Sequence, residues 1–323
     1  MNPNQYSKRL LIRAVQERAT DIYFLPAKEQ YHISFKTQDN TVVDQLSSQE
    51  AHQLISYFKF QANMVMSEHR RPQTGALHWK LFNKEVDIRL STVGDYLGRE
   101  SMVIRVIYSL NHANYQVVSP PQWLRLVNLV SGHGLVLFAG PMGSGKTTTM
   151  YKLLKETCQK QIVLTVEDPV EIEEPSFLQL QVNAQAQMTY QELLRLGLRH
   201  RPQVFMIGEI RDQTTAQIAI QAALSGHLVL STIHAKSAQG VVPRLKQLGI
   251  TDYYIDQALL GACYQRLIPL RNGGMAVLFD IKQHDELLMQ KGNGVGNEWY
   301  QLLETACKEQ KISPETVQKF QQG

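Results

Sequence analysis

The chain has 323 residues, 43% hydrophobic and 19% charged, with a formal net charge of +4. This is an ordinary globular composition for one large or two medium domains, and the positive excess is too mild to argue for nucleic acid as a partner. Cys158, Cys263 and Cys307 form no C-x-x-C pair, so no disulfide framework or zinc site is readable. No 18-residue apolar run or apolar leader occurs either, and the expectation is a soluble protein of a reducing cytosol whose membrane contacts run through a partner.

In chain order, Tyr6, Leu10, Leu11, Ala14 and Val15 recur at helical spacing over 6–18, with Lys8, Arg9, Arg13 and Arg18 among them. Residues 22–25 form a short strand candidate, and Tyr31, Ile33 and Phe35 alternate as a half-buried strand. Ser47-Ser48-Gln49-Glu50 has the form of a capping box ahead of a helix burying Leu54, Ile55 and Phe58. Leu77, Trp79 and Leu81 face Val86, Ile88 and Leu90 across Asn83-Lys84 as a β-hairpin, and 102–107 is a further strand. Residues 1–108 therefore read as a small α+β domain. Residues 109–121, polar and ending in Pro120-Pro121, read as a linker, and 122–323 as a second domain.

The second block opens with a short helix through Leu124, Val127 and Val130, stopped at Gly132-His133-Gly134. Apolar strands at 135–139, 162–166, 204–207 and 228–233 then alternate with helices at 146–158, 189–199 and 213–225. Strands separated by helices need crossovers, so the fold class is α/β with a largely parallel, doubly wound sheet. Helices are expected at 237–247 and 252–267, a late strand at 275–281 and a small helix from Ser313-Pro314, with 318–323 frayed.

Chemistry concentrates after the first of those strands. Gly140, Pro141, Met142, Gly143, Ser144, Gly145, Lys146 and Thr147 spell G-x-x-x-x-G-K-[ST] between a strand and a helix. In that setting backbone N–H groups and the helix N-terminus cradle phosphates, Lys146 reaches the β/γ-phosphates and Thr147 offers its hydroxyl to Mg²⁺. Such a site also needs carboxylates at strand ends, where ligands collect in parallel sheets. Glu167 and Asp168 close the strand 162–166, with Pro169 turning the chain away, and Glu209 closes 204–207 in the manner of a Walker-B element. His227 and His234 bracket 228–233, which puts His234 at the C-terminal, ligand side as a candidate γ-phosphate sensor.

Gly140–Thr149, Thr165–Glu171, Gly208–Asp212 and Ala222–Ala235 together resemble the Walker A, Asp box, Walker B and His box of the secretion ATPases of type II secretion and type IV pilus assembly. The likeness extends into the first block through Ala19–Tyr23, Arg71–Gly75, Asp87–Thr92 and Val103–Arg105. It implies a RecA-like P-loop domain behind a smaller α+β, PAS-like one, with ATP and Mg²⁺ as cofactors. By the same likeness Glu167 polarises water, Thr147 and Glu209 hold Mg²⁺, and Thr148 and His227 join the nucleotide site. Arg89 and Arg105 approach the γ-phosphate, with Arg99 as a nearby competitor, while Arg211 and Asp212 pair between subunits.

Departures point to a subgroup. The long N-terminal domain and tetracysteine zinc module of the larger members are missing, and Gln265-Arg266-Leu267 runs straight into Ile268-Pro269-Leu270, so no zinc is expected. The C-terminal element of retraction motors is missing too, and Ile210 with Ala219–Leu224 follows the assembly branch. Short, zinc-free and assembly-like describes the competence pseudopilus ATPases of Gram-positive bacteria. That resemblance implies a homo-hexamer at the inner face of the cell membrane, pushing on a polytopic platform protein, with no direct nucleic-acid contact. Leu198–Gln203 departs from the family pattern by losing two acidic positions.

Overall fold

The computed structural model describes residues 2–17, 19–37, 40–81, 84–107, 115–183, 186–289 and 294–323. The chain divides into two units, Met1–His112 and Ala113–Gly323.

The first unit opens with α1 (Pro3–Gln16), capped by the Asn2 side chain with Pro3 in its first turn. β1 (Asp21–Ala27), β2 (Gln30–Lys36) and β3 (Asn40–Ser47) follow, then α2 (Ser48–Gln61). The capping box is present as expected: Ser47 Oγ accepts from the Glu50 amide, and the Glu50 carboxylate accepts from the Ser47 amide at 3.2 Å. β4 (Gln73–Leu81), β5 (Lys84–Gly94) and β6 (Glu100–Ile107) complete a six-stranded sheet in the order β3-β2-β1-β6-β5-β4. All its pairings are antiparallel. In the predicted hairpin Leu77 faces Ile88 and Trp79 faces Val86; its Asn83 lies outside the described residues. Leu10, Leu11 and Ala14 of α1 and Leu54, Ile55 and Phe58 of α2 close a core with Ile22, Phe24, Ile33, Ile88, Leu90 and Ile104. Alternation along the strands turns their odd-numbered neighbours Arg89 and Arg105 to the other face.

Most of the predicted linker, 108–114, lies outside the described residues. Its last residues are not linker. Gln116–Val117 form β7, and Pro120 and Pro121 open α3 (Pro120–Leu129), where a missing N–H costs nothing and a fixed φ suits the first turn. The second unit continues with β8 (Gly134–Ala139), α4 (Lys146–Thr157), β9 (Val163–Glu167), β10 (Leu178–Gln181), α5 (Tyr190–Arg199), β11 (Val204–Ile210), α6 (Gln213–Leu224) and β12 (Leu228–Ile233). Then come α7 (Val241–Gln247), α8 (Asp252–Ala258), β13 (Leu259–Pro269), β14 (Met275–Gln283), α9 (His284–Met289), α10 (Asn297–Lys308) and α11 (Pro314–Phe320).

The eight strands run β10-β9-β11-β12-β8-β13-β14-β7. β10 through β13 are mutually parallel, and only the β13–β14 pairing is antiparallel. The largely parallel α/β sheet is therefore present, but the expected helix 252–267 stops at Ala258 and becomes β13. Leu259, Gly261, Ala262 and Cys263 are buried beside β8, and an apolar run with both faces buried has no amphipathic period to tell strand from helix. The C-terminus is also ordered where fraying was expected. Phe320 is buried, its carbonyl accepts from Trp299 Nε1 at 2.7 Å, and the Gly323 carbonyl accepts from Arg266.

Candidate active site

Parallel register sets out the site. Val166, Ile207, Ser231 and Leu137 form one row across β9, β11, β12 and β8. Glu167 comes one residue beyond that row, Glu209 two, and His234 and Gly140 three. All four therefore emerge at the same C-terminal edge of the sheet, where an open α/β sheet binds its ligand. His227 does not join them. It precedes Leu228, which pairs with Gly134 and Val204 at the opposite edge, about 20 Å away along β12 at ~3.3 Å per residue. There His227 Nδ1 donates to the Pro202 carbonyl at 2.7 Å and its ring packs edge-on to Phe205. The expectation that His227 touches nucleotide is corrected: it ties the loop before β11 to the start of β12.

The glycine-rich turn between β8 and α4 is held from β13. A Cβ on Gly140 would meet the Gln265 carbonyl at 2.4 Å, and the buried Gln265 Nε2 donates to the Ser144 carbonyl at 2.7 Å. Gly145, at φ 83°, caps α4 in the left-handed region that favours glycine. Pro141, Met142 and Gly143 are exposed at the tip, while Lys146, Thr147 and Thr148 are half-buried in the first turn of α4. Lys146 Nζ donates to the carbonyls of Gly140 and Pro141 at 2.8 and 2.9 Å. Burial holds its pKa below the ordinary lysine value, against the opposing pull of the Glu209 and Glu171 carboxylates.

Glu167 is the more enclosed of the two carboxylates, 3% exposed. Its Oε1 accepts from the Tyr151 hydroxyl at 2.5 Å and from Thr165 Oγ1 at 2.7 Å. Desolvation raises its pKa, and the two hydroxyls work against that rise. Glu209 is held differently. The β11–β12 register slips between Ile207 and Ile210, and such a bulge re-aims a side chain beside a site. The freed backbone groups find side chains: the Glu209 amide donates to the Tyr190 hydroxyl at 3.2 Å, and the Gly208 carbonyl accepts from Thr232 Oγ1 at 2.8 Å. Tyr190 in turn donates to the Val166 carbonyl at 2.9 Å, tying the Glu209 strand to the Glu167 strand. The Glu209 carboxylate accepts from Arg211 and lies 3.7 Å from His234 Nε2. Asp212 caps α6 through the Thr215 amide at 2.8 Å, so within the chain neither Arg211 nor Asp212 is the other's partner.

Arg89 and Arg105 stand directly opposite each other on β5 and β6 of the first unit. Arg105 Nε also pairs with Asp21 Oδ1 at 3.0 Å, Asp21 being its neighbour across β1. Two guanidinium groups on facing positions are like charges directly opposite, an unfavourable pairing by itself. Arg99 is engaged elsewhere, with Asp95 at the turn of the β5–β6 hairpin.

Four positioning residues carry no motif signal in the sequence. Tyr151 and Tyr190 look like core aromatics on helices, Thr165 like a strand residue, and Gln265 fell in a segment expected to be helical. A buried glutamine in β13, one residue past the last pair with β8 and beside the glycine-rich turn, is the signal that reading β13 as a strand exposes.

A family model described as "Type II/IV secretion system protein" matches residues 4–304. The "Competence protein ComGA" of Streptococcus pneumoniae is 41% identical over 288 residues, covering 88% of this chain and 90% of that protein. The protein of the same name from Bacillus subtilis is 39% identical over 272 residues, 82% of this chain and 76% of its own length. Among solved structures, the ATPase DotB of Legionella pneumophila superposes with a TM-score of 0.77 at 18% identity, covering 97% of this chain and 94% of that one. That likeness shows a shared fold.

Proposed function

The chain belongs to the type II/IV secretion system protein family and is an ATPase of that family, and from that premise we propose that it powers assembly of a competence pseudopilus for DNA uptake. The observation that carries the reading is the common edge on which the glycine-rich turn, Glu167, Glu209 and His234 converge, in a chain that aligns with competence relatives over most of its length.

Lys146 exchanges its two loop carbonyls for the β/γ-phosphates, giving up contacts to neutral oxygens for stronger charge-assisted ones. Glu167 takes a proton from the attacking water, and His234 reports on the γ-phosphate from the end of β12. Thr147 and Glu209 present a hydroxyl and a carboxylate, hard oxygen donors that suit Mg²⁺. When bound, that ion would neutralise charge between the β- and γ-phosphates. Arg89 and Arg105 supply further positive charge to the γ-phosphate during the cycle. The working assembly is a homo-hexamer on the inner face of the membrane, acting on a polytopic platform protein rather than on DNA. Among the described residues no helix is long and apolar enough to cross a membrane.

In cells, the chromosomal Lys146→Ala variant is expected to abolish surface pilin filaments and DNA uptake together, with normal protein abundance. Excess filaments would mark a retraction motor instead, and unchanged filaments would overturn the reading.

A further inference from the structure

We propose that Tyr151 is a positioning residue for Glu167, setting which carboxylate oxygen is left to act on the attacking water. The proposal rests on Glu167 being the base.

Tyr151 sits in the second turn of α4 with its side chain fully buried. From there its hydroxyl reaches Glu167 Oε1 at 2.5 Å, the same oxygen that Thr165 Oγ1 approaches at 2.7 Å. Both donors act on Oε1 and neither engages Oε2. A carboxylate pinned through one oxygen has a fixed rotamer and a fixed lone-pair direction at the other. The tyrosine is itself located. Gln179 Nε2 donates to its hydroxyl at 2.5 Å and also to the Ile172 carbonyl at 2.7 Å, while Phe177 stacks on its ring with centroids 5.7 Å apart. The segment carrying these groups is tied back to α4 by Lys155 and Glu174, 2.7 Å apart. A phenol used only for packing needs none of this, since phenylalanine would fill the same volume.

The arrangement also joins the two ends of the reaction. α4 begins at Lys146, which answers to the phosphates, and one turn later carries the group that aims the base. In the step so arranged, the water oxygen bonds to the γ-phosphorus as the bond from that phosphorus to the β-bridging oxygen breaks, its electron pair leaving with ADP. One water proton passes to Oε2 of Glu167. Donors to Oε1 favour the charged carboxylate against the desolvation that raises its pKa. Without the Tyr151 donor that pKa climbs further, so as pH falls the base is protonated, and its activity lost, already at a higher pH.

The test is single-turnover ATP cleavage as a function of pH in the full-length protein, for Tyr151→Phe, Thr165→Val and Glu167→Gln. Tyr151→Phe is expected to fold, to keep its KM for ATP within about twofold, to slow cleavage by about 10- to 100-fold, and to move the acid limb of the profile to higher pH. Thr165→Val is expected to shift the limb in the same direction and supplies the reading if Tyr151→Phe does not fold. A wild-type rate and limb in both variants, or slower cleavage with the limb unmoved and KM raised, overturns the proposal provided Glu167→Gln is inactive. Wild-type cleavage by Glu167→Gln overturns the reading of Glu167 itself, and the positioning role with it.

Discussion

Glu167→Gln is expected to lower ATP turnover by about 10³-fold, within the range of a positioned general base, while nucleotide still binds. The substitution is close to isosteric, and its amide oxygen can still accept from Tyr151 and Thr165. The loss therefore falls on proton acceptance rather than on packing, and thermal unfolding should move by only a few degrees. Fluorescent-nucleotide binding beside steady-state phosphate release separates the two. Turnover near the wild-type rate would overturn the assignment of Glu167 as the base.

Arg105→Ala is expected to cost about 10³-fold in turnover, by analogy with arginines that stabilise transferring phosphoryl charge in other NTPases, and Arg89→Ala a comparable amount. Neither belongs to the unit that carries the phosphate cradle, so nucleotide binding should fall far less than kcat. Arg105 is 51% exposed and paired with Asp21, and an exposed pair of that kind contributes about 0–1 kcal/mol to stability. A large kinetic loss with an unchanged melting temperature thus marks a role in the reaction. Arg99→Ala is the control, because Arg99 serves the β5–β6 hairpin through Asp95. A turnover loss in that variant equal to the Arg105 loss would refute the assignment.

The parts of the fold most legible in the sequence were those whose local chemistry matches their surroundings. The capping box at Ser47 and the hairpin pairing of Leu77 with Ile88 rest on short-range rules, and β8, β9, β11 and β12 are apolar runs bounded by turns. β3 and β10 are hard to read for different reasons: Asn40–Ser47 sets Val42 beside Val43 and breaks the period-2 pattern, while Leu178–Gln181 alternates but is only four residues long. β13 reads as helix because burial on both faces removes the alternation that identifies a strand. At the site, every group read from the phosphate-binding turn and the strand ends lies at one sheet edge. His227 does not, because one histidine at each end of a strand puts only one of them on the ligand side. The hydroxyls and amides that aim those groups are invisible to motif reading: Tyr151, Tyr190 and Gln265 are distant in sequence from what they hold.

The most direct measurement is phosphate release from ATP by the purified protein, with Mg²⁺ present, chelated, and restored. The account predicts release that stops on chelation and returns with added Mg²⁺, the behaviour expected of the proposed Mg²⁺ roles of Thr147 and Glu209. Release that continues undiminished in the presence of chelator would contradict it.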